Sequence, residues 1–337
     1  MPNTFAFILN PLKIDNGENK PIEITPSYFL QKANEEQIKV LKQTWGKLPA
    51  SIFWLNSYEY DYGVIGEPKQ ESTKLDPNDW KYWVISHDGY TSDHKKRETF
   101  FILECAMSLS KSNLETGLLF FNKQGSSYQW NNRSFYNYFL DYPAGGRPAT
   151  QITYEETQEI GANHTLISDF VKTMYKIKIY PKGKKVDDIN QYYQENFEFI
   201  DHALRQFLYL KALPRYSGLT IIGLFSIIES LITHSPKQNI DDSLNHQIKT
   251  KIPLLRKMFQ RSLDYESYFL PANEETVWGK LYDFRSKIVH EGKEIIDKDN
   301  EILKNLESVT DFLKEATKLL ILLAIKEPQF TTDLKKC

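Results

Sequence analysis

Near the C-terminal end, the stretch KLYDFRSKIVHEGKE (residues 280–294) puts a permanent cation, Arg285, five residues before a titratable imidazole, His290. On a helix, residues five apart are separated by roughly 140°, so they do not share a face as an i, i+4 pair would. Arginine is long, however, and His290 falls in the last turn before Gly292, so both heads can converge beside the helix end. The unpaired carbonyls of a last turn favour the imidazolium form and equip such a histidine to give or take a proton. An arginine beside a histidine suits phosphodiester chemistry. The guanidinium binds the phosphate and stabilises the charge added in the transition state, while the imidazole moves the proton of the attacking or leaving oxygen. On RNA the 2′-hydroxyl is the nucleophile, so neither a metal nor a protein nucleophile is required, and RNA is favoured over DNA. The bland alternative is a helix-capping histidine, with an arginine paired to Asp283 or Glu291.

Other side chains bear on the same chemistry. Glu229, in SIIESLIT, is a carboxylate inside an apolar helix and therefore needs a cationic partner. It either orients Arg285 or His290, or satisfies Arg256 or Arg261. Lys249, Lys251, Arg256, Lys257 and Arg261 form a run with no acid from 243 to 263. That run reads as an RNA-phosphate patch or as a solvated helix face, and Lys287, inside the Arg–His stretch, is counted with the RNA-binding set. His87 and His94, with Asp88 and Asp93, read as an exposed polar loop rather than a metal site. PAGGRP (143–148) lacks the lysine and hydroxyl of a phosphate-binding loop and reads as a turn. No cofactor is expected.

Bulk properties narrow the class. In 337 residues, 41% are hydrophobic and 26% charged, values that fit a soluble globular chain. The net charge of −2 gives no global field for nucleic acid, so any such contact must be local. Two cysteines, Cys105 in an apolar pattern and Cys337 at the end, suggest neither a disulfide framework nor zinc, and favour a reducing, cytoplasmic setting. The first residues lack a basic export region, and no apolar run approaches the ~20 residues of a membrane span.

The elements that must position these groups differ between the halves. Residues 1–180 read as a mixed α/β domain rich in aromatics, holding five of the six tryptophans. TFAFIL, PIEI, SIFWL, YWVIS and GLLFF are short, β-branched or aromatic runs and read as strands. KANEEQIKVLKQTWGKL reads as a helix with Asn34 as N-cap and Gln37 three residues on. RETFFILECAMSLSKS and TYEETQEIGANHTLISDFVKTMYKI continue helical periodicity, and residues 129–151 read as a long loop or surface hairpin. KIKIYPKGKKVDDIN (176–190) has linker composition, and the boundary is expected there, at 181–190.

From 188 to 330 the chain reads as a bundle of five helices, making the whole α+β. They run from Asn190 towards Pro214, over 216–233 (apolar nearly all round), over 243–263, from N-cap Asn273 to Gly292, and over 299–327, stopping at Pro328.

LYDFRSKIVHEG together with LFSIIESLIT resembles the HEPN superfamily and its Apea-like branch, whose helical bundles carry an R-x4-6-H motif. Here the motif is Arg285 to His290, and the form apolar-Tyr-x-x-Arg-Ser-x-Ile-Val-His-x-Gly is more specific than the spacing alone. The resemblance covers residues 188–330, and SYFLQKANEEQIKVLKQTW is similar to segments ahead of the domain in Apea-like proteins. It implies a metal-independent endoribonuclease with Arg285 and His290 catalytic, dimerising so that two motifs form one cleft. It makes Tyr282 and Ser286 supporting residues, Ser286 standing where many relatives have Asn or Asp. It also implies an abortive-infection effector against phage, with the N-terminal half sensing a phage or host trigger. Family members that lost cleavage act as nucleotide- or partner-binding modules.

Overall fold

The computed structural model describes residues 4–15, 20–45, 56–61, 73–87, 93–112, 114–121, 149–175, 188–236 and 243–337. The chain is α+β and divides into two units, Met1–Thr165 and Leu166–Cys337. The division falls within a helix, Tyr154–Tyr175. Most of the lysine-rich stretch 176–190, up to 187, lies outside the described residues, as do SIFWL and PAGGRP.

In the N-terminal unit, strands β1 (Thr4–Ile8), β3 (Ile22–Thr25), β4 (Tyr28–Lys32), β7 (Trp83–His87) and β8 (Thr116–Phe121) form an antiparallel sheet of order β3-β4-β7-β1-β8. Every residue of β1 and β7 is buried, as expected of central strands covered on both faces. Four of the expected strands are therefore present. β2 (Leu12–Asp15) pairs in parallel with β9 (Thr150–Thr153), and β5 (Tyr60–Asp61) pairs with β6 (Thr73–Lys74). The sequence reading missed these and β4. The β3–β4 turn explains part of that omission: Ser27 takes φ 68 just after Pro26, a position where glycine would have advertised the turn.

Helix α1 (Glu35–Trp45) starts as expected, Asn34 and Gln37 exchanging reciprocal hydrogen bonds of 2.9 Å. α2 is Asp93–Leu109 and α3 is Tyr154–Tyr175. α3 covers the edge strand β3 at Gly161, where a Cβ would stand 2.4 Å from the Ile24 carbonyl oxygen. Glycine, a poor helix former, is needed there for that close approach. Phe7, Tyr58 and Tyr82 centre the core, the two tyrosines stacked with centroids 4.9 Å apart.

In the C-terminal unit, α4 (Asp188–Leu210), α5 (Gly218–Ile232), α6 (Leu244–Leu255), α7 (Glu274–Glu291) and α8 (Leu306–Lys326) match the five expected helices. Two ends differ. α6 accommodates Pro253 and ends at Leu255, earlier than expected, a 3-10 turn following at Arg256–Met258, and a 3-10 segment at Lys298–Leu303 precedes the Asn305 N-cap of α8. Pro328 opens a sixth helix, α9 (Pro328–Lys336), because proline fits a first helical position, where no N–H partner is required. α5 packs against α4, α6, α7, α8 and α9, which is why it is apolar nearly all round. Its terminal carbonyls are bonded by buried or half-buried groups. Thr233 N–H donates to Glu229 O (2.9 Å), Lys335 Nζ to Ser230 O (2.7 Å) and Lys251 Nζ to Ile232 O (3.0 Å). Among the described residues no helix is long and apolar enough to cross a membrane.

Candidate active site

α7 is the element that presents Arg285 and His290. Asn273 Oδ1 caps its start by accepting from Thr276 N–H at 2.7 Å, and Val277, Trp278, Leu281, Phe284 and Ile288 form its buried stripe. Trp278 pins that stripe by donating from Nε1 to Tyr265 Oη at 2.9 Å. The helix ends where Gly292 turns left-handed at φ 65 and donates to Ile288 O at 3.1 Å. The following residues return to α5, with Glu294 Oε1 accepting from Gly218 N–H at 2.9 Å.

Arg285 leaves one flank of the stripe. Its Nη2 lies 3.4 Å from both carboxylate oxygens of Glu229 on α5, with hydrogen-bond geometry towards Oε2. Its Cζ sits 5.6 Å from the centre of the Tyr282 ring, which stands edge-on to Phe225. The Arg285 side chain is 21% exposed and that of Glu229 16%. Burial pushes the Glu229 carboxyl up and the Arg285 charge offsets only part of that rise; burial also pushes the Tyr282 phenol up, helped by Glu229. Among the described residues, Glu229 Oε1 and Arg285 Nε have no hydrogen-bond partner. The pair is longer than the ~2.8 Å of a tight charge-assisted bond, so the guanidinium is tethered without being saturated. Glu229 thus pairs with Arg285, and not with Arg256 or Arg261.

His290 is exposed and leaves the other flank. It lines a groove of about 420 Å³ with Ser286, Lys280 and Lys287 on α7 and Asn300 on the 3-10 segment. Asp283, Glu291 and Asp299 line it too, so three carboxylates face two ammoniums. Lys287 is held by Asp297 at 2.6 Å, a contact that raises its pKa and lowers that of Asp297. Arg285 is absent from this lining. Within one chain the structure joins Arg285 to Glu229 and Tyr282, and sets His290 with Ser286 and Lys287 along a groove that Arg285 does not line.

The expected basic patch is corrected in part. Lys251 lies on the buried face of α6 with Ile248, Ile252 and Leu255, and its ammonium bonds Ile232 O and Gln247 Oε1 (3.3 Å). Arg256 pairs with Glu274, and Arg261 with Glu315 at 2.6 Å. Lys249 runs its stem past Gly279 of α7, and Lys257 is exposed. The cations are dispersed because α6 turns one of its faces inward and carboxylates from other elements meet two of the arginines. His87 is also corrected: it is buried at the end of β7, its ring 4.5 Å from that of Tyr28, rather than in an exposed loop. His94 falls in α2, and Asp88 lies outside the described residues. Among the described residues no three His, Cys, Asp or Glu side chains converge as metal ligands.

The sequence reading missed Asp297, Asn300 and Glu294, which shape the groove and the exit of α7. For Lys251 a signal existed, since it stands three residues after Ile248 and four before Leu255, on the apolar stripe. No family model, curated protein or solved structure matches the chain.

Proposed function

We propose that the helical unit is a metal-independent endoribonuclease of the HEPN type, working in the cytoplasm as a homodimer in an abortive-infection response. In this reading the N-terminal unit senses the trigger. The observation that supports it is a half-buried guanidinium held by a half-buried carboxylate, on a helix that ends in an exposed histidine. Arg285 would bind the scissile phosphate and stabilise the charge that builds on it, while His290 would take the 2′-hydroxyl proton or deliver one to the leaving oxygen. Arg285 does not line the groove of His290, so in this reading one chain alone does not complete the site. A second copy docked about the end of α7 would bring one chain's arginine to the other's histidine and furnish both a base and an acid. The exposed side chains of Leu219, Val289 and Ile295 stand next in sequence to Gly218, Ile288 and Glu294, which meet at the exit of α7, and offer apolar surface for such docking.

A second reading is a non-catalytic module that binds a nucleotide or partner; the three carboxylates around His290 repel phosphate and so favour its partner-binding form. The deciding experiment incubates end-labelled RNA with the wild type, Arg285→Ala and His290→Ala in EDTA. The nuclease reading expects cleavage that survives chelation, needs the 2′-hydroxyl, leaves a 2′,3′-cyclic phosphate, and falls ~10²-fold or more in each variant. Cleavage that EDTA abolishes, or that both variants retain, refutes it. Sedimentation showing a monomer at micromolar concentration refutes the two-copy cleft.

A further inference from the structure

The N-terminal unit carries a groove of about 970 Å³ between α1 and the turn at Pro77–Trp80. Its floor is apolar, since Ala33, Ile38 and Trp80 pack against the core around Phe7 and Tyr82. Its rim is cationic. Lys32 enters from the end of β4, Lys39 from the exposed face of α1, and Lys42 from one turn further along. Against them stands Glu35.

The ammoniums are placed by the fold. Lys32 Nζ donates to Asn78 O at 2.7 Å, a contact that fixes its position without cancelling its charge. Lys42 pairs with Glu59 and lies 4.6 Å over the Trp80 ring. Lys39 is exposed on the rim. The volume is at the upper end of small-molecule clefts, large enough for several residues of a peptide.

We propose that this groove docks a short acidic segment of a partner protein, its carboxylates against Lys32 and Lys39 and one apolar side chain on Ile38 and Trp80. Charge complementarity to the lysine rim, combined with an apolar floor, carries the assignment. Single-stranded nucleic acid fits less well, because it needs open aromatic faces on which bases stack, and Lys42 already covers a face of Trp80. The inference does not depend on the nuclease reading.

The test pans a library of displayed short peptides against the full chain, then measures the enriched peptide by fluorescence anisotropy against wild type, Lys39→Glu and Lys32→Ala. Lys39 is exposed, so its reversal should leave the thermal melt unchanged. The expected result is enrichment of Asp and Glu around a Leu, Phe or Trp, binding that weakens with salt, and a loss of about tenfold or more in Lys39→Glu. Absence of enrichment, enriched peptides without acidic bias, equal affinity for Lys39→Glu, or displacement of the peptide by a labelled oligouridylate would each overturn it.

Discussion

Glu229 is the side chain whose replacement tests the electrostatics of the site most directly. It faces Arg285 at 3.4 Å, and at an effective dielectric of ~20 that separation gives an attraction of about 5 kcal/mol. Removing two ions from water costs several kcal/mol each, so the two effects nearly cancel. The direction is set by the carboxyl itself, which burial holds above the ordinary range despite the neighbouring cation. The folded chain therefore keeps that proton at pH values where the unfolded chain has released it. Stability due to Glu229 is full at low pH and is lost as pH rises from the ordinary carboxylate range through the raised folded value. Glu229→Gln keeps the shape and an acceptor for Arg285 but removes the titration. Measured by thermal denaturation from acid to neutral pH, the wild type should lose ground to Glu229→Gln as pH rises, then run parallel to it. At neutral pH the two should lie within about 1 kcal/mol, a few degrees in midpoint. Glu229→Ala should be worse by ~2 kcal/mol, because it leaves a cavity and an unpaired guanidinium. A wild type that gains on Glu229→Gln with rising pH would refute the reasoning, since the ion pair would then outweigh burial.

Two further outcomes concern the scaffold. Lys251→Met should lower the melting midpoint by an amount corresponding to ~2 kcal/mol, because Ile232 O and Gln247 Oε1 lose a buried donor, and should leave any RNA affinity unchanged; a loss of RNA binding without loss of stability would restore Lys251 to the phosphate surface. Gly161→Ala, which helix propensity alone would favour by ~1 kcal/mol, should instead destabilise the N-terminal unit by ~1–3 kcal/mol, because the added Cβ collides with the Ile24 carbonyl; a stabilised variant, read by urea titration, would show that α3 can move off the sheet edge.

The local features of this chain are legible in its sequence. The Asn34–Gln37 capping box, the Asn273 cap, the Gly292 stop and the apolar stripe of α7 depend on residues within a few positions of one another, and periodicity exposes them directly. An all-round apolar α5 likewise announced its place at the centre of the helical unit. The pairing of β2 with β9 could not be read this way, because strands brought together over so long a separation carry no local mark of their partner. The same limit governs the site. Sequence put Arg285 and His290 on one helix and showed that Glu229 needed a cation, but only packing decided which cation it received. Sequence counted five positive charges around α6, whereas tertiary structure turned Lys251 inward onto the end of α5 and gave Arg256 and Arg261 to carboxylates on α7 and α8. The reason is physical: helix formation responds to neighbours one turn away, while the fate of a charge depends on which distant backbone ends and carboxylates the packed helices bring to it.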